Sequence, residues 1–172
     1  MNKDTIALFA RYNEKANEGM CKVISSLTND EWNQQFEKCY YKSVRILCSH
    51  IFTADFSYIN RFNNLRSFKT LADPYFKDNT YDGRTVYFED LHEYLAKRPE
   101  LDKKMLSLVE EFTEEDLKNT LKFSTPRGDM ERNFGAYNLQ LFSHSMHHRG
   151  MISVYLELLG RDNDYNGIAQ VL

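Results

Sequence analysis

Four stretches of this chain repeat apolar side chains every three to four residues, the interval of an α-helix. That rhythm limits the fold more than any other feature. Over residues 3–27 the stripe is Ile6, Phe9, Ala10, Ala16, Met20, Val23, Ile24 and Leu27, with Asn13 and Asn17 on the same face. Over residues 42–68 it is Leu47, His50, Ile51, Ala54, Tyr58, Phe62 and Leu65. Phe88, Leu91, Leu95, Leu101, Met105, Leu108 and Phe112 mark residues 85–112, where Pro99 is expected to kink or divide the helix. The last stripe, over residues 135–159, is Tyr137, Leu141, His144, His148, Ile152, Tyr155 and Leu159, closed by Gly160 as a C-terminal cap.

Between the stripes lie shorter signals. Thr28-Asn29-Asp30-Glu31 has the form of a capping box and opens a short turn. Thr113-Glu114-Glu115-Asp116 reads the same way. Asp73-Pro74 and Asp82-Gly83 punctuate a loop. Between Asn119 and Phe134 the period changes: Leu121 and Phe123 alternate with polar residues before Ser124-Thr125-Pro126-Arg127-Gly128-Asp129. A small β-hairpin or extended loop fits there. Burying four apolar stripes together predicts a mainly α single domain over residues 1–172. Its expected form is an up-down four-helix bundle with that hairpin before the last helix.

Composition excludes several classes. The 172 residues are 42% hydrophobic and 14% aromatic, which is a globular chain rather than a disordered one. The 22 basic and 25 acidic residues are interspersed, so no basic stripe marks a nucleic-acid binder. No run of 18 apolar residues suggests a membrane span, and the N-terminal residues do not read as a signal peptide. Cys21, Cys39 and Cys48 are odd in number and lack CxxC spacing, which reads as free thiols in a cytoplasmic protein.

The histidines carry the chemistry. His144 and His148, four residues apart, leave one helix face with offsets that differ by only ~40° and a rise of ~6 Å. Such a pair is a common way for a helix to offer two metal ligands. His50, in the middle of another stripe, is the natural third. Three neutral imidazoles suit zinc, nickel, copper or iron better than magnesium or calcium. Three protein ligands leave a position open, which lowers the pKa of a water or thiol that enters it. The plainer account is a set of hydrogen-bonded core histidines, although burying three without a shared purpose costs desolvation three times over. His147 stands i, i+3 from His144 and is an alternative ligand; the stripe centre favours His148 and puts His147 on a flank. His92 has no partner at ligand spacing.

The run Leu141-Phe142-Ser143-His144-Ser145-Met146-His147-His148-Arg149-Gly150, with the apolar helix that follows, resembles the last helix of the DinB-like (DinB/YfiT) superfamily. That family's pattern there is H-x-x-x-H-R-G, commonly followed by Gln. His50 within Leu47-Cys48-Ser49-His50-Ile51, with Asp55 and Tyr58, resembles its second-helix histidine, and Tyr12-Asn13 and Ala16-Asn17 its opening helix. The resemblance spans nearly the whole chain. It implies a four-helix bundle holding one divalent metal, zinc or nickel before others, through His50, His144 and His148. It also implies a homodimer and a small-molecule substrate. Better-understood relatives transfer or isomerise substrates with a low-molecular-weight thiol such as bacillithiol or mycothiol. Met151 stands where Gln is common.

Two functions follow as expectations. One is a metal-dependent enzyme, a thiol S-transferase or hydrolase, in which Asn13, Asn17, Tyr58 and Arg149 orient substrate. The other is a non-catalytic metal- or ligand-binding dimeric stress-response module. For each of those four residues alone, capping, packing or a surface salt bridge is the plainer role. Arg98 and Asp102 read as an i, i+4 ion pair on a helix surface. Neither nucleic acid nor membrane is an expected partner.

Overall fold

The computed structural model describes residues 2–79, 81, 85, 87–165 and 167–171. Asp82-Gly83 lies outside them. The chain is mainly helical, with one two-stranded sheet among the described residues. Helix α1 (Lys3–Ile24) starts where the Asn2 side chain accepts from the Thr5 amide. Thr28 and Glu31 form the capping box that opens α2 (Asn29–Asn33). Ser43 caps α3 (Val44–Asn60), and a 3-10 turn, Arg61–Asn64, follows it directly. Asp73 caps the short α4 (Pro74–Asp78).

Helix α5 (Leu91–Glu110) begins later than the apolar pattern suggested. Phe88 lies before it, buried and with a positive φ of 60°, while its carbonyl accepts from the Trp32 indole at 3.2 Å. Pro99 sits inside α5 without dividing it. A proline there forfeits one helical hydrogen bond, a cost of about 3 kcal/mol. The buried Tyr94, Leu101, Met105 and Leu108 anchor both halves in the core and offset it.

Thr113 and Asp116 make the capping box of α6 (Glu114–Lys118). The hairpin follows as β1 (Thr120–Thr125) and β2 (Gly128–Asn133), antiparallel, with Leu121 opposite Arg132 and Phe123 opposite Met130. Leu121 and Phe123 are buried while their neighbours face out, as the alternation required. Pro126-Arg127 form the turn, and Gly128 takes φ 112°, a backbone region closed to most side chains. Asn133 then caps α7 (Phe134–Leu158) and ties it back to the Leu117 carbonyl at 3.0 Å. Helix α7 ends in a Schellman motif, with the Gly160 amide on the Glu157 carbonyl and the Arg161 amide on that of Leu156.

The four long helices are the four that the stripes marked. Helix α1 packs on α5 and α7, and α3 packs on the same two. One core, with Trp32, Tyr94, Phe52, Phe56, Phe62, Phe112, Phe134 and Phe142 among its largest members, lies between them. The hairpin rests on the turn after α3 and on the start of α7. No helix among the described residues is long and apolar enough to cross a membrane.

Candidate metal centre

Helices α3 and α7 pack side by side, and that contact brings three imidazoles to one point. The Nε2 atom of His50 lies 3.1 Å from that of His144 and 3.2 Å from that of His148. His148 is buried, and His50 and His144 are half-buried. The histidines therefore sit at the margin of the core rather than in the middle of it. On α3 the half-buried line is His50, Ala54 and Tyr58, one residue per turn. These three lie on the less buried side of α3, while most of its remaining side chains are buried.

The geometry fits a cation. Each neutral imidazole has one N–H and one lone pair. Three Nε2 lone pairs turned toward one another repel unless a positive ion lies between them, whereas an Nε2–H on one ring would make a hydrogen bond instead. With zinc–nitrogen bonds of ~2.0–2.1 Å, tetrahedral ligands stand about 3.3 Å apart, close to the separations seen. Electrostatics agree. Burial lowers the pKa of His50 to about 4, with His144 adding to the effect and Asp55 opposing it. Burial and the neighbouring His144, His50 and His147 take His148 down to about 3. Burial lowers His144 as well, again against Asp55. At neutral pH all three are uncharged imidazoles, the form that can donate to a metal. The Nδ1 atoms of His144 and His148 are buried with no hydrogen-bond partner among the described residues. Metal-ligating histidines usually donate from that second nitrogen, so this centre leans on helix packing to orient its rings.

Tyr41, in the loop before α3, completes the near shell. Its hydroxyl lies 3.0 Å from His50 Nε2, and its ring packs on His50 and edge-on to His148. The Tyr155 hydroxyl donates to the Tyr41 carbonyl, and Phe36 stacks on the Tyr155 ring at 4.5 Å. The sequence offered no signal for Tyr41, because it belongs to no periodic segment. Tyr58 is the other aromatic neighbour, with its ring 5.9 Å from that of His144. His147 is exposed and stays outside the cluster, touching only the edge of His148. His92 is exposed at the start of α5.

The remaining polar candidates went elsewhere. Arg98 and Asp102 are not a surface pair: Arg98 is fully buried. Its Nε and Nη2 bond both oxygens of Asp102 at 3.0 and 2.5 Å, and its Nη1 bonds Asp55 at 2.8 Å. Asp55 also accepts from the Ser145 hydroxyl at 2.7 Å, which ties α5, α3 and α7 together. Arg149 is likewise buried, not a surface cation. It donates to the side-chain oxygens of Asn13 at 2.5 Å and Asn17 at 3.1 Å, and Asn17 donates to Asp102 at 2.9 Å. Asn13, Asn17 and Arg149 thus belong to an internal polar network between α1, α5 and α7. The cysteines are free; burial pushes the Cys21 thiol up to about 12 and raises Cys48 strongly. Neither is a ready nucleophile.

The DinB family matches residues 1–165, nearly the full chain. The chain belongs to that family. Two solved structures share the fold. A DinB-like protein from Bacillus cereus is 15% identical with a TM-score of 0.62, over 91% of this chain and 93% of that one. A DinB-like protein from Bacillus subtilis is 15% identical with a TM-score of 0.59, over 92% and 96%. At that identity the likeness speaks for the fold. No curated protein sequence matches the chain.

Proposed function

We propose that this DinB-family chain is a metal-dependent enzyme in which His50, His144 and His148 hold one divalent transition metal, zinc or nickel first. The position left open would take water or a low-molecular-weight thiol, for use as a thiol S-transferase or hydrolase on a small molecule. The convergence of three imidazoles carries the reading: His50 Nε2 stands 3.1 Å from His144 Nε2 and 3.2 Å from His148 Nε2, and all three ligand atoms lie within 4.8 Å of one another. A metal held there lowers the pKa of what it binds and supplies a nucleophile near neutral pH.

The protein's own groups divide the remaining work. Burial holds the imidazoles neutral and ready to donate lone pairs. Tyr41, anchored by Tyr155, stands where its hydroxyl can donate to, or accept from, a group seated on the triad. Tyr58 forms an aromatic wall beside His144. We further propose that the four long helices form an up-down bundle, that the chain is a single cytoplasmic domain without nucleic-acid or membrane partners, and that it is a homodimer. Val154 and Leu158, exposed one turn apart on α7, favour the dimer.

The experiment is zinc and nickel binding with thermal unfolding, followed by conjugation assays with bacillithiol and glutathione. Metal at 100 times its Kd stabilises by about 2.7 kcal/mol, a rise of roughly 5–11 °C for a chain of this size. His50→Ala, His144→Ala and His148→Ala should each abolish the rise, and His147→Ala should keep it. Less than one ion per wild-type chain would sink the reading. A non-catalytic dimeric stress-response module is the second reading. It is favoured by the engaged Asp55 carboxylate and the raised Cys21 and Cys48 thiols, which leave no evident separate base or nucleophile. Metal binding without turnover on thiol or hydrolytic substrates would select it.

A further inference from the structure

Next to the histidines lies a cavity of about 330 Å³ between the end of α3, the hairpin and the first turns of α7. Its size falls within the range of small-molecule sites. Three arginines line it, Arg61, Arg127 and Arg132, and among the described residues no Asp or Glu does. This is unusual in a chain with more acidic than basic residues. Nor do the nearby acids neutralise the arginines. Glu131 pairs with Lys122 across the hairpin at 2.7 Å, and Asp129 accepts from Ser124 at 2.7 Å. Among the described residues none of the three arginines has a carboxylate partner.

Arg61 is held in place. Its Nη1 donates to the Tyr137 hydroxyl at 2.7 Å, and its guanidinium lies 4.8 Å over the Phe123 ring and 6.0 Å over that of Tyr58. A guanidinium has five N–H donors, so an Arg61 fixed by one bond still presents most of them. Arg127 and Arg132 reach the same cavity from the turn and from β2.

The cavity and the triad share a wall at Tyr58, which touches His144 and lines the cavity. Gln140 lines it too, one helical turn before His144 on α7. A ligand seated among the arginines would therefore extend along α7 to the imidazoles.

We propose that this cavity binds the anionic end, a carboxylate or phosphate, of the small molecule whose other end is presented to the histidine centre. The proposal deepens the metal-centre reading and rests on it only for what happens at the far end. Arginine is the residue suited to both anions, because its planar fork meets two oxygens at once. The Phe123, Tyr58 and Tyr137 rings give the rest of the ligand an apolar wall.

The test is calorimetric titration of the full zinc-treated chain with succinate and with inorganic phosphate, at fixed ionic strength. Both probes report the same charge recognition, and the tighter one names its source. The Arg127→Gln/Arg132→Gln double variant, altered only at exposed positions, should bind the preferred probe at least tenfold more weakly. Arg61→Gln should do the same, while the zinc-induced thermal shift stays unchanged in both. Equal binding by wild type and the double variant would overturn the proposal. So would loss of binding in His144→Ala with full retention in the arginine variants, because the anion would then sit on the metal. If zinc gives no shift but the arginines still govern succinate or phosphate binding, the metal-centre reading fails and this one stands.

Discussion

Replacing Arg98 with Met is the sharpest probe of how the fold holds its histidine helices. The wild-type side chain is fully buried and makes three charge-assisted hydrogen bonds, two to Asp102 and one to Asp55, both themselves buried. Methionine fills similar space and leaves two carboxylates in the core without a cation. Removing one partner of a buried ionic group costs about 3–5 kcal/mol, mostly the desolvation of the stranded charge. For a chain of this length that is a fall in Tm of roughly 6–20 °C. The loss should depend on pH. Burial already raises the Asp102 carboxyl to about 6 against the pull of Arg98. Without Arg98, the Asp102 carboxyl rises further above its unfolded value. The folded variant then binds protons that the unfolded chain does not, so its stability falls as pH rises. Urea unfolding followed by circular dichroism should therefore show a larger deficit at pH 8 than at pH 5. Lys15→Ala, at an exposed pair with Glu18, should change nothing measurable. A deficit under 1 kcal/mol at pH 8, or one independent of pH, would refute the reasoning.

Metal-free protein should lose stability as pH falls from about 6.5 toward 4. His50 and His148, held at about 4 and about 3, stay neutral in the fold while the unfolded chain takes up protons; the His50→Gln/His148→Gln variant should flatten that slope in urea melts. Asp116 is held low first by its hydrogen bonds to Arg66, at 2.9 and 2.8 Å, and by its place in the α6 capping box. Asp116→Asn should cost about 1 kcal/mol at pH 7, and the difference should vanish as pH falls through the depressed Asp116 value, since that contribution exists only above it. Gly19 touches the tail: a Cβ there would stand 2.6 Å from that of Tyr165. Gly19→Ala should therefore destabilise by about 1–3 kcal/mol as an overpacking, despite the better helix propensity of alanine, and calorimetric Tm values check it.

The sequence by itself determined the four long helices, the hairpin and the pairing of His144 with His148, though not the short α4 where it read a loop. All three follow from rules that act over a few residues: a period near 3.6, a period of two, side-chain caps, and an i, i+4 offset that no distant contact can change. It also put His50 on the apolar stripe of α3, expected to face the core, although His50 proved half-buried rather than central. What lay beyond it was set by contacts between segments far apart in the chain. Arg98 and Asp102 have the spacing of a surface pair, and Asp55 from α3 and Asn17 from α1 supply the partners that accompany their burial. Arg149 is buried because Asn13 and Asn17 come to it from α1. Pro99 fails to divide α5 because core packing outweighs one missing hydrogen bond. Tyr41 reaches His50 through a loop with no repeat to read, and the three arginines meet only when the hairpin folds back against α3 and α7. Local periodicity names the face of a helix; which faces meet, and how much water they exclude, is decided by packing in three dimensions.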